Sequence, residues 1–353
     1  MIRVRSSLSG TLLACFSLLA VMPASAVSID WATVGDAGND GDTQLMKQDQ
    51  TSGYGAVAYV YQIAKYDVTV AQYVEFLNAK DPTGTNVLGL YNGNQSTDGN
   101  SAGISFNVNN SAGAKYGVLP GQANKPITNV TWYSSLRFAN WLNNGQGNGD
   151  TESGSYTLTG NSPTPSNSNA ISRNAGANIV LPTENEWYKA AYYKGGGLHA
   201  GYWPYATRTS TLATAEPPNP NATNSANYNS KTTGYAVTGS SGYSSGVNYL
   251  TDVGAYGKTT SAYGTFDQTG DVFQWNQTTV APDGSRGIRG GSWNLDDGAL
   301  PSLNRDEIYH PDYANFFIGF RVANLAVAAP EPVGLSIWIL GGMMLLRRNR
   351  RAS

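Results

Sequence analysis

Apolar periodicity in this chain is confined to short runs, and long segments rich in Gly, Asn and Ser separate them; 41 of the 353 residues are Gly. Segments of that composition bury too little apolar surface to form a core themselves. The fold must therefore gather a few short elements across long loops. Three runs have helical spacing. Thr69 suits the N-cap of a helix over 70–79, with Tyr73, Phe76 and Leu77 on one face. Thr131 suits the cap of a second over 132–142, with Trp132, Leu136, Ala139 and Trp141 inward. Pro182 stops a short buried strand at 179–181, and Thr183 caps a third helix over 184–193, with Glu186 completing a capping box. Gly195, Gly196 and Gly197 end it. Further strands are expected at 56–63, 287–293 and 316–322. The pattern predicts one α+β domain, loop-rich with little regular secondary structure.

Both ends read as separate from that domain. Arg3 and Arg5 precede an apolar run, and Ala24-Ser25-Ala26 follows it as a small-residue cleavage site. That is the layout of a secretory signal peptide over 1–26, which places the mature start near Val27. A lipoprotein reading on Cys15 is weaker, because most of the apolar run follows the cysteine. At the other end Pro330-Glu331-Pro332 is followed by an apolar stretch over 333–346 and then by Arg347, Arg348, Arg350 and Arg351. A helix of that length reaches roughly 21 Å, short of a hydrocarbon core of about 30 Å. It predicts transient anchoring, with the basic cluster holding its end in the cytoplasm.

Charge and sulfur narrow the function classes. Only 13% of residues are charged, about half the usual share. Loss of the six terminal arginines named above leaves 16 basic against 24 acidic side chains, a net of −8. An acidic body without a basic footprint excludes nucleic acid as a partner and suits divalent cations better than polyanions. The single cysteine lies in the predicted leader, so the mature body has no disulfide, thiolate metal site or cysteine nucleophile. His199 and His310 are the only histidines, too few for a three-histidine site and without helical pairing.

Four pieces then occur in order. They are Tyr66-Asp67-Val68-Thr69-Val70-Ala71-Gln72-Tyr73; Leu181-Pro182-Thr183-Glu184-Asn185-Glu186-Trp187; Gly264 to Trp275, with Asp267-Gln268-Thr269-Gly270-Asp271-Val272-Phe273-Gln274; and Arg289-Gly290-Gly291-Ser292-Trp293 with Gly319-Phe320-Arg321. Each has a structural reason: a strand stop and helix start, a close backbone approach at the Gly pair, a buried ring beside a guanidinium fork. Together, over about 55–325, they resemble the formylglycine-generating enzyme (sulfatase-modifying factor) family. Pro-Glu-Pro, the short apolar helix and the Arg cluster resemble the PEP-CTERM sorting signal over 330–353.

The resemblance implies a modified C-type-lectin-like fold over 27–329 with structural calcium. Its calcium positions are Asp267, the carbonyls of Gly270 and Val272, and Gln274, where the family has a Glu; oxygen ligands of this kind suit calcium. By the same resemblance a second calcium falls on Asn227 and the Tyr228 carbonyl, with Ser245 near the place of its partner acid. The family's enzymes carry two cysteines, three and eight residues beyond the motif's Ser, that bind copper and activate oxygen. Here, counted from the retained Ser292, those positions are Leu295 and Leu300. Leucine offers a soft metal no lone pair, so no copper and no formylglycine generation by that route are expected. The reading is a non-catalytic ligand-binding or matrix module, exported to the envelope, outer surface or extracellular matrix of a Gram-negative bacterium. Its partners would be a glycan or protein ligand and a sorting enzyme recognising Pro330, Glu331 and Pro332. The alternative is an oxidoreductase of the same family acting by a non-cysteine route.

Overall fold

The computed structural model describes residues 26–305 and 309–326. Residues 1–25 of the predicted leader and the sorting segment, with its apolar stretch 333–346, lie outside the described residues. Among the described residues no helix is long and apolar enough to cross a membrane.

In chain order the elements that frame the site are β1 (Trp31–Val34), β2 (Tyr61–Ala64), α1 (Val70–Lys80), α2 (Trp132–Asn143), β3 (Ile179–Val180), α3 (Glu184–Tyr192), β4 (Phe273–Thr279), β5 (Arg286–Arg289), β6 (Ile318–Phe320) and β7 (Ala323–Asn324). The three expected helices form, each capped as its sequence implies. Thr69, Thr131 and Thr183 accept from the backbone N–H three residues on. Capping boxes close at Thr69 with Gln72 and at Thr183 with Glu186, each cap satisfying an N–H that would otherwise lack a partner.

Two small sheets carry the rest. One is antiparallel, in the order β1-β2-β7-β3. The other has β4 at its centre, antiparallel to β5 and parallel to β6. Strands β6 and β7 are separated only by Arg321 and Val322, so this short stretch passes from one sheet to the other. The expected strand over 56–63 begins only at Tyr61, because Tyr59 and Val60 face solvent. The strand expected over 287–293 ends at Arg289, where Gly290 and Gly291 take positive φ.

The helical stripes meet β6 in one aromatic core. Phe138 lies 5.4 Å from Phe76, 5.4 Å from Phe320 and 5.7 Å from Trp141 between ring centroids, and Tyr73 stacks on it at 6.0 Å. Edge and offset contacts of this kind add to the area each ring buries. The remaining described chain runs mostly as loops, with a one-turn helix over Asn94–Thr97, two short 3-10 turns and two-residue and three-residue ladders, the α+β architecture expected from the sequence.

Candidate functional site

The expected site residues converge on β4 and the turn before it. Gln274 is fully buried. Its Oε1 accepts from Trp187 Nε1 at 2.7 Å and from Arg321 Nε at 2.6 Å; its Nε2 donates to the Asp267 carbonyl at 2.8 Å and to Asp67 Oδ2 at 3.2 Å. The rest of the Arg321 fork donates to the carbonyls of Ala64, Lys65 and Phe266 and to Asp67 Oδ1. All four sequence motifs therefore supply atoms or neighbours to one buried joint.

Beside it, Asp267 and Asp271 line a cavity of about 10 Å³ with Asn227, Gln268 and Thr269, room for one water-sized species. Both aspartates have positive φ. Asp267 Oδ2 accepts from the Gly254 N–H at 2.7 Å. Asp271 accepts from Asn227 Nδ2 at 2.8 Å and from the Thr251 N–H and hydroxyl, each at 3.1 Å. Burial pushes Asp267 up to about 7, and the neighbouring Asp271 adds to the rise. Burial also pushes Asp271 up to about 6, against the hydrogen bonds from Thr251 and Asn227 that favour its charged form. Gly270, at φ +80, is needed here: a Cβ on it would come within 2.3 Å of the Asn227 carbonyl oxygen.

The Gly-Gly-Ser segment runs alongside. Ser292 Oγ sits 2.8 Å from Asn294 Oδ1. Leu295 is 37% exposed, whereas Leu300 is fully buried among Ala213, Ala215, Ala226, Tyr228 and Ala236. Trp293 stacks nearly parallel on Tyr249 at 4.7 Å, Tyr243 stacks on Tyr249 at 6.1 Å, and Phe316 packs on Trp293 at 5.5 Å. Tyr243, 59% exposed, carries this aromatic ladder to solvent.

A family model, the sulfatase-modifying factor enzyme 1-like domain, matches residues 40–326. The chain belongs to the sulfatase-modifying factor family. Solved structures similar to it include CarF, at 21% identity over 85% of this chain and 99% of that chain, TM-score 0.49. Treponema denticola variable protein 1 is 17% identical over 86% and 97%, TM-score 0.48. PvdO from Pseudomonas aeruginosa is 17% identical over 84% and 91%, TM-score 0.42. No curated protein gives a significant match.

Within this sulfatase-modifying-factor domain the residues assigned to calcium by resemblance can be tested as a set. Asp267, Gly270, Val272 and Gln274 are close in space, but Gln274 Oε1 already accepts two donors, one a guanidinium. A cation there would meet an occupied oxygen beside a positive charge, so the four do not fit calcium as arranged. At the second set, Asn227 Nδ2 donates to the Tyr249 carbonyl at 2.7 Å and to Asp271 Oδ1 at 2.8 Å. Among the described residues no three His, Cys, Asp or Glu side chains gather in a metal-holding group. The two histidines pair separately at the surface, His199 with Asp40 and His310 with Asp283.

Sequence reasoning missed Asp271 and the Tyr243–Tyr249–Trp293 ladder. The signal for Asp271 was its place four residues after Asp267, at the end of a Gln-Thr-Gly turn and directly before the apolar Val272-Phe273. The ladder joins Tyr243 and Tyr249 to Trp293, which lies 44 positions beyond Tyr249, and left no local trace.

Proposed function

We propose that this sulfatase-modifying-factor domain is a non-catalytic ligand-binding module, exported to the cell envelope or its exopolysaccharide matrix and taking a neutral glycan as ligand. The observation that carries the reading is Leu300. At a position where the family's copper thiol is expected stands hydrocarbon sealed into an apolar cluster. Neither Leu300 nor the exposed Leu295 has a lone pair for copper, and Ser292 alone cannot replace a thiolate pair. The ladder ending at Tyr243 supports glycan recognition, since aromatic faces stack on sugar C–H groups while flanking Asn and Ser supply hydrogen bonds. Pro330-Glu331-Pro332 would be read by the sorting enzyme, with 333–346 as the transient anchor.

Two measurements test this. The mature protein, given copper, oxygen and a cysteine-containing sulfatase peptide, should leave the peptide mass unchanged; appearance of formylglycine would refute the non-catalytic reading. On an array of bacterial envelope glycans it should bind, and Tyr243→Ala should weaken binding about tenfold, a 1.4 kcal/mol loss. Absence of glycan binding would overturn the ligand assignment.

A further inference from the structure

The strongest unassigned feature lies at the junction where the leader was expected to be cut. Gln146 follows α2 in a left-handed conformation, φ +65, between Gly145 and Gly147, which also have positive φ. A non-glycine residue rarely occupies this region without a reason. Its carboxamide holds one residue at both backbone atoms: the Val27 N–H donates to Gln146 Oε1 at 2.6 Å, and Gln146 Nε2 donates to the Val27 carbonyl at 2.8 Å. The Val27 side chain is buried in the main core. The chain is tied continuously from there on. Gln72 Nε2 donates to the Ser28 carbonyl, the Lys65 N–H to that of Asp30, and β1 pairs with β2. The residue just before, Ala26, is exposed and lines a cavity of about 230 Å³ together with Glu75, Trp141 and Gln146.

We infer that the Gln146 carboxamide and the Glu75 carboxylate form a binding site for this chain's own mature amino terminus, the α-ammonium of Val27 released by cleavage after Ala26. The inference rests on the signal-peptide reading. In the export machinery's leader peptidase, water adds across the Ala26–Val27 amide. Ala26 leaves with the leader as a carboxylate, and Val27 keeps its nitrogen, which takes up a proton because an α-amine titrates near 7.7–8.0. One N–H of the ammonium keeps the Gln146 oxygen. The other two face the space Ala26 vacates, where Glu75 supplies the counter-charge. The uncut amide has one N–H and no charge, so only the processed chain can use Glu75.

The full chain, expressed with its leader in a Gram-negative host, tests this in two arms. Amino-terminal sequencing of the exported product should begin at Val27, and any other start overturns the assignment. Selective acetylation of the α-amine of that product, checked by mass, should lower Tm by about 2–4 °C. Glu75→Gln should lower it by a similar amount, and acetylation of the Glu75→Gln protein should add little. A Tm unmoved by acetylation, or fully additive losses, would show that the ammonium is not bound there even if the leader is cut after Ala26.

Discussion

Arg321 Nε lies 2.6 Å from Gln274 Oε1, the same oxygen that accepts the Trp187 indole. A neutral carboxamide at this position receives donors on its oxygen and still donates from its nitrogen to Asp267 and Asp67. A carboxylate could do only the first. Gln274 thereby ties α3, β4 and the β6–β7 turn through side-chain hydrogen bonds.

Gln274→Leu should strand the Trp187 N–H, the Arg321 Nε–H and the Asp267 carbonyl in the interior. Each stranded group costs about 1–3 kcal/mol, and a loss of about 3–5 kcal/mol in urea unfolding is expected. A loss below about 1 kcal/mol would mean that the joint is not the buried lock its distances describe.

The same arrangement bears on calcium. With Gln274 Oε1 committed to Arg321, the melting curve should be the same in millimolar calcium and in excess chelator. A calcium-dependent rise of several degrees in Tm that Asn227→Ala leaves in place would require Arg321 to leave that oxygen and would overturn the fit argument.

Asp267 and Asp271 set a pH dependence. Their folded pKa values, about 7 and about 6, lie above the ordinary aspartate value of 3.8. The folded state therefore binds their protons more tightly than the unfolded chain does. Their contribution is fully present below about pH 3.8 and is lost as pH rises through 6 to 7. Tm should climb as pH falls from 8 to 5, and Asp267→Asn and Asp271→Asn should each flatten part of that slope. Calorimetry at unit pH steps checks it; a profile unchanged by either substitution contradicts the assignment.

The helices were legible in the sequence because each begins at a threonine whose cap is local and continues as an apolar stripe. Strand β4 was not. Gln274 and Asn276 bury polar side chains on one face while Phe273 and Trp275 bury the other, so the alternation spans only four residues and its polar positions read as solvent-facing. The site was half legible. Motif spacing located Gln274, Leu295 and Leu300, but a calcium reading of Gln274 fails on Arg321, a partner 47 positions away that no local pattern announces. Strand β1 is four residues long and paired by register rather than by its own periodicity.

Glu184, first residue of α3, accepts from Arg289 Nε at 2.8 Å and also pairs with Arg305. Arg289 is fully buried, with the carbonyls of Ser302 and Asn304 as further acceptors. Glu184→Ala leaves the buried guanidinium without its carboxylate and should cost about 3–5 kcal/mol. The double variant Glu184→Met with Arg289→Met should cost less than the sum of its single variants, because it strands neither charge. Additive losses in the cycle would place the energy outside the pair.

Leu295 and Leu300, the two positions that the resemblance gives to the family's cysteines, differ in burial, and their substitutions should separate accordingly. Leu300 touches an alanine-lined pocket and the backbone of the Gly-Gly turn; a Cβ added at Gly291 would come within 2.7 Å of Leu300 Cδ2. Space this tight collapses poorly when atoms are removed, so Leu300→Ala should cost about 2–5 kcal/mol through lost burial and a residual cavity. Leu295 already faces water in part, and Leu295→Ala should stay within about 0.5 kcal/mol. Denaturant unfolding of the two variants measures the difference. Equal costs would mean that Leu300 is not packed as described and would remove the main support for the proposed non-catalytic reading.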